Sequence, residues 1–576
     1  MSHITKSFLR HVGTTADCTE KQQSLLSSVW SAAWLRRAEV EAARAQGVAL
    51  YALMQRAAAA AFSVFRREYP HTRHWLILCG SGNNGGDGFE IARLASEQVR
   101  VTVVAVEASK SLPIEATTAH AALLERIQQG AEVVMKDSRA WMEDTVLGDV
   151  DLVVDGLLGI GMGGPPRDHY AELIERVNKL PQPRVSIDIP SGLNAETGDV
   201  KGACVRADHT VTFIAIKPGL LTGLARNYVG KLHYDPLQLA DWMLAPEQEQ
   251  SIFCRRLESS HLVPLLSRSV PSSCIHKGAN GKVLLVGGDS GFGGAIAMSA
   301  EAALRTGSGL VRVLTRAEHI APLLCRCPEV MTETLTETSL RLALEWATCV
   351  AVGPGLGQAE WGKRALCLVD QHLRKSGIPS VWDADALNIL AACNGWRDQG
   401  TCGVEDSTLV VSDKRLANRI ITPHSGEAAR LLGCTVAEVE QDRYHAAEEL
   451  AAMYGGVVLL KGPGTVLYAS EDMRATRLPP AAELLLSSAR AVADVGNSGM
   501  ATGGMGDVLT GIIAGFLAQR LSPWHAACVG CLVHGTAADL AATAQGGERG
   551  LTATALFDHL PACINPTPEL FKHASL

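Results

Sequence analysis

The chain has 576 residues, of which 47% are apolar and 19% are charged, and its net charge is −8. This composition excludes a disordered chain, and the acidic balance offers no basic surface for a nucleic-acid backbone, so we expect no nucleic-acid partner. The length exceeds what one ordinary core holds and fits two large α/β domains.

The first half of the chain alternates helix-like and strand-like segments. A helical pattern from Trp34 to Tyr69 precedes a series of short apolar strands separated by helical stretches. Such alternation is typical of βαβ units around a buried parallel sheet. The predicted strands cover residues 75–79, 101–106, 152–154, 185–188 and 210–216.

A glycine-rich loop, Gly80 to Gly88, follows the first of these strands and opens into a helix. Glycine amides at a helix N-terminus can face an anion. The loop also matches G-x-G-x-x-G, with Glu107 about 20 residues further on, so a dinucleotide-binding dehydrogenase is an alternative. A phosphate-binding loop does not require the polar side chains of Asn83, Asn84 and Asp87. They are either ligands of a cation or polar group, or turn residues that tolerate left-handed backbone.

Two later strands also end in an acid followed by a turn. Asp155 precedes a second glycine-rich segment, and Asp188 precedes Pro190-Ser191-Gly192. Ligands of open parallel sheets bind outside the carboxyl ends of the strands, so Asp87, Asp155 and Asp188 are expected to share one crevice. Each of these acids alone would more often be a helix cap or turn residue.

The motifs NNGGDG, VDGLLGIG and DIPSGLN resemble the epimerase domain of the NAD(P)H-hydrate repair family over residues 34–245. The resemblance implies a Rossmann-like three-layer domain whose substrate is the hydrated nucleotide, NADHX or NADPHX, with Asp188 as acid and base. It also implies a K⁺ ion bound by Asn84, Asp155 and Ser191. The implied substrate contacts are Asn83, Asn84, Gly85, Gly86, Asp87, Gly159, Ile160, Gly161, Met162, Gly163, Gly164, Pro165, Tyr170 and Asp188.

The strand pattern lapses after residue 237, and a second βα series begins at Lys282. We therefore predict an N-terminal extension at 1–30, a first domain at 31–245, a linker at 246–275 and a second domain at 276–565. No Walker A sequence occurs in the second series. Instead Gly503 to Gly506 precedes a helix, where its amides would form an anion hole beside Asp507 as a base. Asp507 alone would also fit a helix N-cap, and His424 alone a structural histidine.

The second series resembles the ribokinase-like superfamily, specifically its ADP-dependent NAD(P)H-hydrate dehydratases, over residues 277–561. The resemblance implies that Gly355, His424 and Asp507 contact the hydrate and that Asp507 is the catalytic base. It implies nucleotide binding by Lys461, Gly462, Pro463, Gly464, Thr465 and Gly506. Mg²⁺ is expected to neutralise the phosphates, with Asp383 and Asp385 as candidate ligands, although Asp383 would also fit a cap.

The second series departs from the family pattern at two positions. Ser425 stands where the family has proline, and Ser498 stands where it has proline or alanine. We expect the loss of the first proline to free the loop that carries His424 and to affect substrate affinity. Residues 394–413 are predicted to be a polar surface insertion.

The expected function is metabolite repair: the first domain interconverts the R and S hydrates, and the second dehydrates the S form to NAD(P)H while ADP becomes AMP and phosphate. A vitamin-precursor kinase and a non-catalytic nucleotide-binding module are the alternatives. The odd cysteine count favours a reducing compartment, and Cys528 and Cys531 are predicted to be buried thiols. No apolar run approaches the ~20 residues of a membrane span, so we expect no membrane partner, and the cytoplasm is the expected location. A homo-oligomer is also expected, although no sequence feature sets the oligomeric state.

Overall fold

The computed structural model describes residues 20–107, 111–144, 148–266, 276–392, 415–470 and 485–572. Within these ranges the chain divides between Cys254 and Arg255 into two compact units. Each unit is an α/β structure, which confirms the predicted fold class. The insertion predicted at 394–413 and the first 19 residues of the predicted extension lie outside the described residues.

The first unit is built on seven parallel strands in the order β4-β3-β2-β5-β6-β7-β8, as the βα alternation predicts. The strands of this sheet are β2 His74–Cys79, β3 Arg100–Ala105, β4 Val133–Asp137, β5 Leu152–Gly156, β6 Arg184–Ile187, β7 His209–Phe213 and β8 Lys231–Asp235, and the two-residue strand β1 Ser28–Val29 lies outside it. Its helices are Glu20–Leu26, Ala32–Ala45, Leu50–Glu68, Asn83–Ala95, Ile114–Gln128, Ser138–Glu143, Asp168–Asn178 and Ala240–Met243.

The first glycine-rich segment is mostly helical rather than a loop. The helix begins at Asn83, so Asn83 to Gly88 form its first turns and only residues 80–82 remain outside it. The close approach of neighbouring backbone atoms explains why glycines stand here. A Cβ on Gly85 would lie 2.0 Å from the carbonyl oxygen of Gly80, and a Cβ on Gly80 would lie 1.8 Å from that of Leu157. Glycine therefore lets this helix start press directly against the ends of β2 and β5.

The second unit is built on a mostly parallel sheet in the order β9-β18-β17-β16-β15-β14-β13-β10-β11-β12, in which β17 runs antiparallel to β16 and β18. Its strands are β9 Cys254–Leu257, β10 Lys282–Val286, β11 Leu310–Thr315, β12 Met331–Thr334, β13 Cys349–Val352, β14 Ser380–Trp382, β15 Arg419–Ile421, β16 Val457–Leu460, β17 Thr465–Ala469 and β18 Arg490–Ala493. Its helices are Leu262–Leu266, Gly293–Arg305, Ile320–Arg326, Glu337–Trp346, Glu360–Ser376, Asp385–Ala392, Ser425–Leu432, Val436–Gln441, Arg443–Tyr454, Met505–Ala518, Pro523–Ala544, Leu560–Ile564 and Pro568–Lys572.

Two apolar helices, Met505–Ala518 and Pro523–Ala544, form the centre of the second core. The second is long and apolar enough to cross a membrane by length and composition, but 89% of its most apolar window is buried inside the unit. A helix that is apolar on all sides is expected in such an interior position. Cys528 and Cys531 lie on it, fully buried and free, which confirms the prediction of buried thiols.

The segment predicted to be a linker is partly structured. Its residues 254–257 form β9, which pairs in parallel with β18 of the second sheet. The charged residues that mask this strand in the sequence are held by partners: Arg256 donates to Asp494 at 2.6 Å and is buried. The remaining domain boundaries stay predictions.

Candidate functional site

The first site lies at the carboxyl ends of β5 and β6, where Asp155 is fully buried. Its carboxylate accepts hydrogen bonds from Ser191 Oγ at 2.5 Å, Ser191 N at 2.9 Å, Ser186 Oγ at 2.8 Å and Leu157 N at 3.2 Å. All of these donors are neutral. Burial raises the pKa of Asp155, and these hydrogen bonds oppose the rise. The buried carboxylate thus has no cationic side chain beside it among the described residues, which is the arrangement a bound cation would complete.

Of the other two predicted K⁺ ligands, Ser191 contacts this carboxylate directly, and Asn84 is linked to it through Leu158. Asn84 Nδ2 donates to the carbonyl of Leu158 at 2.9 Å, and Leu158 N donates to Ser191 Oγ at 2.8 Å. No described residue donates to Asn84 Oδ1. The carboxylate, hydroxyl and amide oxygens of these side chains are the ligand types of a hard cation, so the residues fit K⁺.

Asp188 forms the second part of the first site, directly after β6. It has a φ of +62°, a strained conformation for a residue with a side chain. Its Oδ1 receives the Lys217 ammonium in an ion pair and hydrogen bonds from Thr212 Oγ1 at 3.2 Å and Phe213 N at 3.3 Å. Lys217 is buried and also donates to Thr212 Oγ1 at 2.8 Å. The strained backbone thus aims an ion-paired carboxylate into the site.

Two further carboxyl groups face this ion pair. Burial, followed by the charges of Asp188 and Glu39, raises the pKa of Asp87 well above its usual value. Burial and the charge of Asp188 likewise raise the pKa of Glu39, which comes from the helix Ala32–Ala45. Asp87 and Asp188 thus belong to one cluster, as predicted. The raised pKa values of Asp87 and Glu39 favour their protonated forms, which suits a role as proton donors.

The sequence analysis missed Lys217 and Glu39. Lys217 follows β7 in a turn without a glycine loop or a strand-end acid, so no motif marks it. Glu39 lies on a surface-like helix that only the fold brings to Asp188. The same helix supplies Arg36, whose Nη2 donates to the carbonyl of Ile160 at 2.5 Å.

The remaining predicted contacts of the first site surround this cluster. Tyr170 OH lies 3.1 Å from Ser81 Oγ, beside the start of the helix that carries Asn83 to Asp87. Gly159 lies against the Asn84 side chain. The predicted segment 159–165 leads away from Asp155 as an irregular turn, so its members would bind mainly through backbone.

In the second site, Asp507 is the third residue of the helix Met505–Ala518, whose N-cap is Gly504. The alternative that Asp507 is only an N-cap is therefore wrong. Burial, followed by the charge of Asp383, raises the pKa of Asp507 to about 7, while Lys461 opposes the shift. A carboxyl with a pKa near the working pH is suited to general-base chemistry.

A buried ion pair stands beside Asp507. Lys461 Nζ donates to Asp383 Oδ1 at 2.8 Å, and Thr510 Oγ1 donates to Asp383 Oδ2 at 2.9 Å. Burial favours the neutral forms, but the pairing lowers the pKa of Asp383 and raises that of Lys461. A Cβ on Gly506 would lie 3.2 Å from Lys461 Nζ and 3.3 Å from Asp383 Oδ2. The predicted nucleotide contacts Lys461 and Gly506 therefore meet, and residues 462–464 form the turn between β16 and β17.

The predicted Mg²⁺ ligands are already occupied. Asp383 is ion-paired with Lys461 rather than acting as a helix cap. Asp385 accepts from Gly357 N at 2.9 Å and Gln358 Nε2 at 3.0 Å, which orients its carboxylate toward the loop that carries Gly355. The described residues thus do not present a ready carboxylate pair for Mg²⁺, and we derive no step through that ion.

His424 combines a structural and an exposed role. Its Nδ1 accepts hydrogen bonds from Gly426 N at 3.0 Å and Glu427 N at 3.4 Å and so caps the helix Ser425–Leu432. Its Nε2 lies 3.5 Å from Glu427 Oε1, and the side chain is 54% exposed. The ring is thereby fixed through both nitrogens while part of its surface stays exposed.

Ser425 makes contacts of its own in this loop, and its effect on substrate affinity stays a prediction. Its hydroxyl contacts the carboxylate of Glu440 and accepts from Arg443 Nη1 at 3.2 Å. These bonds anchor the loop where a proline would have stiffened it. Ser498 is held similarly, because its backbone N donates to Glu548 at 3.0 Å.

Two family models match separate regions of the chain. Residues 283–562 match the family model described as NAD(P)H-hydrate dehydratase, and residues 50–219 match the model described as YjeF-related protein N-terminus. Two curated proteins named bifunctional NAD(P)H-hydrate repair enzyme, from Leishmania braziliensis and Escherichia coli K12, are 51% and 49% identical. They align with 95% and 94% of this chain and 95% of their own length in each case.

Solved structures also resemble the chain. An ADP/ATP-dependent NAD(P)H-hydrate dehydratase from Bacillus subtilis, co-crystallised with ATP and Mg²⁺, is 26% identical with a TM-score of 0.41, over 53% of this chain and 96% of that protein. A ribokinase-like superfamily protein from Enterococcus faecalis is 27% identical with a TM-score of 0.43, over 54% of this chain and 95% of that protein.

Proposed function

The chain belongs to the family of bifunctional NAD(P)H-hydrate repair enzymes, and we propose that its two units repair hydrated NADH and NADPH in two consecutive steps. The first unit interconverts the R and S epimers, and the second dehydrates the S epimer to the reduced nucleotide. The observation that carries this proposal is that each unit places its proposed reacting aspartate at a lysine–carboxylate ion pair. Asp188 is the partner of Lys217, and Asp507 stands beside the pair of Lys461 and Asp383.

In the first unit, we assign the acid and base work to Asp188. Epimerisation requires the hydroxyl group to leave one face of the ring carbon and return to the other. A positioned carboxyl assists this by passing a proton to and from that oxygen. Lys217 supports the assignment because it neutralises and orients Asp188. The predicted substrate contacts from Asn83 to Asp87, from Gly159 to Pro165 and at Tyr170 would hold the nucleotide around it.

We further propose that Asn84, Asp155 and Ser191 hold K⁺. When bound, K⁺ would supply a fixed positive charge beneath the substrate. The support for the site is the buried Asp155 carboxylate, which is satisfied only by neutral donors. Asp155 itself orders the turn 157–158 and Ser191, so it shapes the floor of the site as well.

In the second unit, we assign the base to Asp507. Its carboxylate removes the proton of the hydrate's hydroxyl group, and the oxygen then attacks the terminal phosphorus of ADP, with AMP leaving. The C–O bond next breaks and releases phosphate, and loss of a proton from the adjacent carbon restores the dihydropyridine ring. Backbone amides of Gly503 to Gly506 would stabilise the transferred group, with Lys461 and the 462–465 turn holding ADP.

The state of the cysteines bears on the compartment in which the reaction takes place. Every cysteine in the described part of the chain is a free thiol. This supports a reducing compartment, and we place the reaction in the cytoplasm. We also propose that ADP is the phosphate donor, that Mg²⁺ is its counter-ion and that the chain forms a homo-oligomer.

A single assay tests the proposed function. The purified chain is mixed with both epimers of NADPH hydrate, ADP, Mg²⁺ and K⁺, and the near-ultraviolet absorbance of dihydronicotinamide is followed. Complete recovery, faster than the epimers interconvert unaided, is expected. Recovery of one epimer alone contradicts the first assignment, and no recovery with ADP or ATP contradicts both.

A further inference from the structure

Arg443 is a fully buried arginine that contacts the backbone at the end of β16. It is the first residue of the helix Arg443–Tyr454, and its Nη2 donates to the carbonyl oxygens of Leu460 and Lys461, each at 3.1 Å. Leu460 ends β16, and Lys461 opens the turn that is proposed to hold ADP. The guanidinium therefore fixes the backbone at the point where the strand passes into the ADP turn.

Gly462, the next residue of the turn, packs directly against the same guanidinium. A Cβ at this position would lie 2.6 Å from Arg443 Nη2 and 3.0 Å from its Cζ and Nη1. Any larger residue would have to displace the guanidinium, so Arg443 and Gly462 together determine the path of the turn. The N–H of Lys461 also donates to the carbonyl of Pro423 at 2.8 Å. The backbone of Lys461 is thus held at both of its polar groups.

The other side of the guanidinium is anchored to two further helices. Arg443 Nη1 donates to Glu440 Oε1 at 2.7 Å and to Ser425 Oγ at 3.2 Å. Glu440 lies on the helix Val436–Gln441, and Ser425 begins the helix Ser425–Leu432. Because both terminal nitrogens of the planar group are bonded, its orientation is fixed from both sides.

The charge of Arg443 lies directly behind the ADP turn. Burial lowers the pKa of the guanidinium, and the charge of Glu440 opposes this fall. Arginine keeps its charge in proteins, so the ion pair with Glu440 places a buried cation against the turn. A buried ion pair of this kind contributes little net stability, whereas it can specify one conformation of the backbone that it contacts.

A second buried arginine provides a contrast within the same unit. Arg419 is fully buried, its Nη2 donates to the carbonyl of Tyr454 at 2.8 Å, and its guanidinium lies 4.7 Å from the centre of the Trp382 ring. Arg419 begins β15 at the amino end of that strand, whereas Arg443 contacts the carboxyl end of the parallel strand β16. The two arginines therefore bond backbone at opposite edges of the sheet, and of the two, Arg443 alone contacts residues proposed to bind ADP.

From these contacts we infer that Arg443 is a positioning residue of the ADP site, which holds the backbone of Lys461 and Gly462 in the conformation that binds the nucleotide. Arg443 acts through these two residues and not by contact with ADP. The inference rests on the proposed function, since it concerns the same ADP site. Loss of Arg443 should therefore weaken ADP binding more than hydrate binding or the chemical step.

The test compares Arg443→Lys and Arg443→Met with the wild-type chain in steady-state dehydration of S-NADPH hydrate. Lysine keeps the charge but lacks the planar fork that spans the two carbonyls and Glu440, and methionine removes both the charge and the donors. We expect Arg443→Met to raise the KM for ADP about tenfold or more and Arg443→Lys to raise it about fivefold, with kcat within about threefold. The KM for hydrate should change less than the KM for ADP.

Arg419→Lys is the matched control, because it replaces an equally buried guanidinium that bonds a carbonyl in the same unit but away from the ADP turn. Urea unfolding of the second unit measures how far each substitution destabilises the fold. A purely structural role predicts that the KM for ADP follows the loss of stability for both arginines. The positioning role confines the rise in this KM to the Arg443 variants.

Titration calorimetry with ADP alone provides a readout that does not require turnover. Weaker ADP binding to folded Arg443→Lys than to the wild-type chain and to Arg419→Lys supports the inference, and this comparison carries the test if Arg443→Met fails to fold. KM values and dissociation constants for ADP that stay within about twofold of wild type in Arg443→Lys, or that rise equally in Arg419→Lys, would overturn it. A wild-type chain that binds ADP but dehydrates no hydrate would contradict the proposed function alone, and one that binds no ADP would overturn both.

Discussion

The two sites use similar groups in different arrangements. In the first unit the proposed reacting carboxylate, Asp188, is itself the partner of the buried Lys217. In the second unit the lysine pairs with Asp383, and the proposed reacting carboxyl, Asp507, stands beside this pair with a pKa raised to about 7. One lysine therefore holds its aspartate directly, while the other leaves its aspartate free to exchange a proton near neutral pH.

The largest effect expected from this difference concerns Asp507. Asp507→Asn keeps the size of the side chain but cannot accept the hydroxyl proton, so dehydration should fall by about 10³-fold or more. Epimerisation, measured by following exchange between the R and S hydrates, should stay at the wild-type rate. A variant that still dehydrates within tenfold of wild type would remove Asp507 from the mechanism.

Asp188→Asn should produce the converse result. Epimerisation is expected to fall by about 10²-fold to 10³-fold, while dehydration of pure S hydrate is retained. Lys217→Met offers a companion, because loss of the buried cation leaves Asp188 unpaired and should also slow epimerisation. If both variants epimerise normally, the ion pair is structural only.

Removal of K⁺ should affect only the first unit. Replacement of K⁺ by a bulky organic cation is expected to slow epimerisation about tenfold or more and to leave dehydration unchanged. Added K⁺ should also raise the midpoint of thermal unfolding of the first unit in the wild-type chain, because a ligand that binds only the folded state stabilises it. Asp155→Asn should lose this K⁺-dependent rise, and an equal rise in both proteins argues against the site.

The pH dependence of dehydration reports the raised pKa of Asp507. The base must be ionised to act, so kcat should rise as pH increases and level off above an apparent pKa of about 7. The expected change between pH 6 and pH 8 is about tenfold. A flat profile over pH 5–8, with chemistry shown to be rate-limiting, would contradict the proposed base.

The free energy of unfolding should also change in opposite directions when the two aspartates are replaced. The pKa of Asp507 is raised from 3.8 to about 7 in the folded chain, so between these pH values the folded state holds a proton that the unfolded state has released, and the fold loses stability as pH rises through this window. Asp507→Asn should therefore stabilise the second unit by about 4 kcal/mol at pH 8, with the gain shrinking as pH falls toward 4. Asp188→Asn should destabilise the first unit instead, since it breaks a buried ion pair. Chemical denaturation at both pH values distinguishes these signs.

Much of this architecture could be predicted because glycine-rich turns and acids at strand ends mark the carboxyl edge of a parallel sheet. The series of buried strands and the placement of Asp155, Asp188 and Asp507 followed from that pattern. β4 was missed because it is an edge strand with half-exposed side chains, and β9 because its two arginines conceal a buried strand. Lys217 and Glu39 carry no local signal, since tertiary packing alone brings them to their site.

The central claim is that each unit performs one step, and complementation in trans tests it most directly. Asp188→Asn protein and Asp507→Asn protein are each incubated with an equal mixture of R and S NADPH hydrate, ADP, Mg²⁺ and K⁺, first separately and then together. The account predicts that the first stops once the S hydrate is consumed, that the second recovers no absorbance, and that the mixture recovers all of it. Failure of the mixture to pass the level reached by Asp188→Asn alone, or full recovery by that variant at the wild-type rate, would contradict the account.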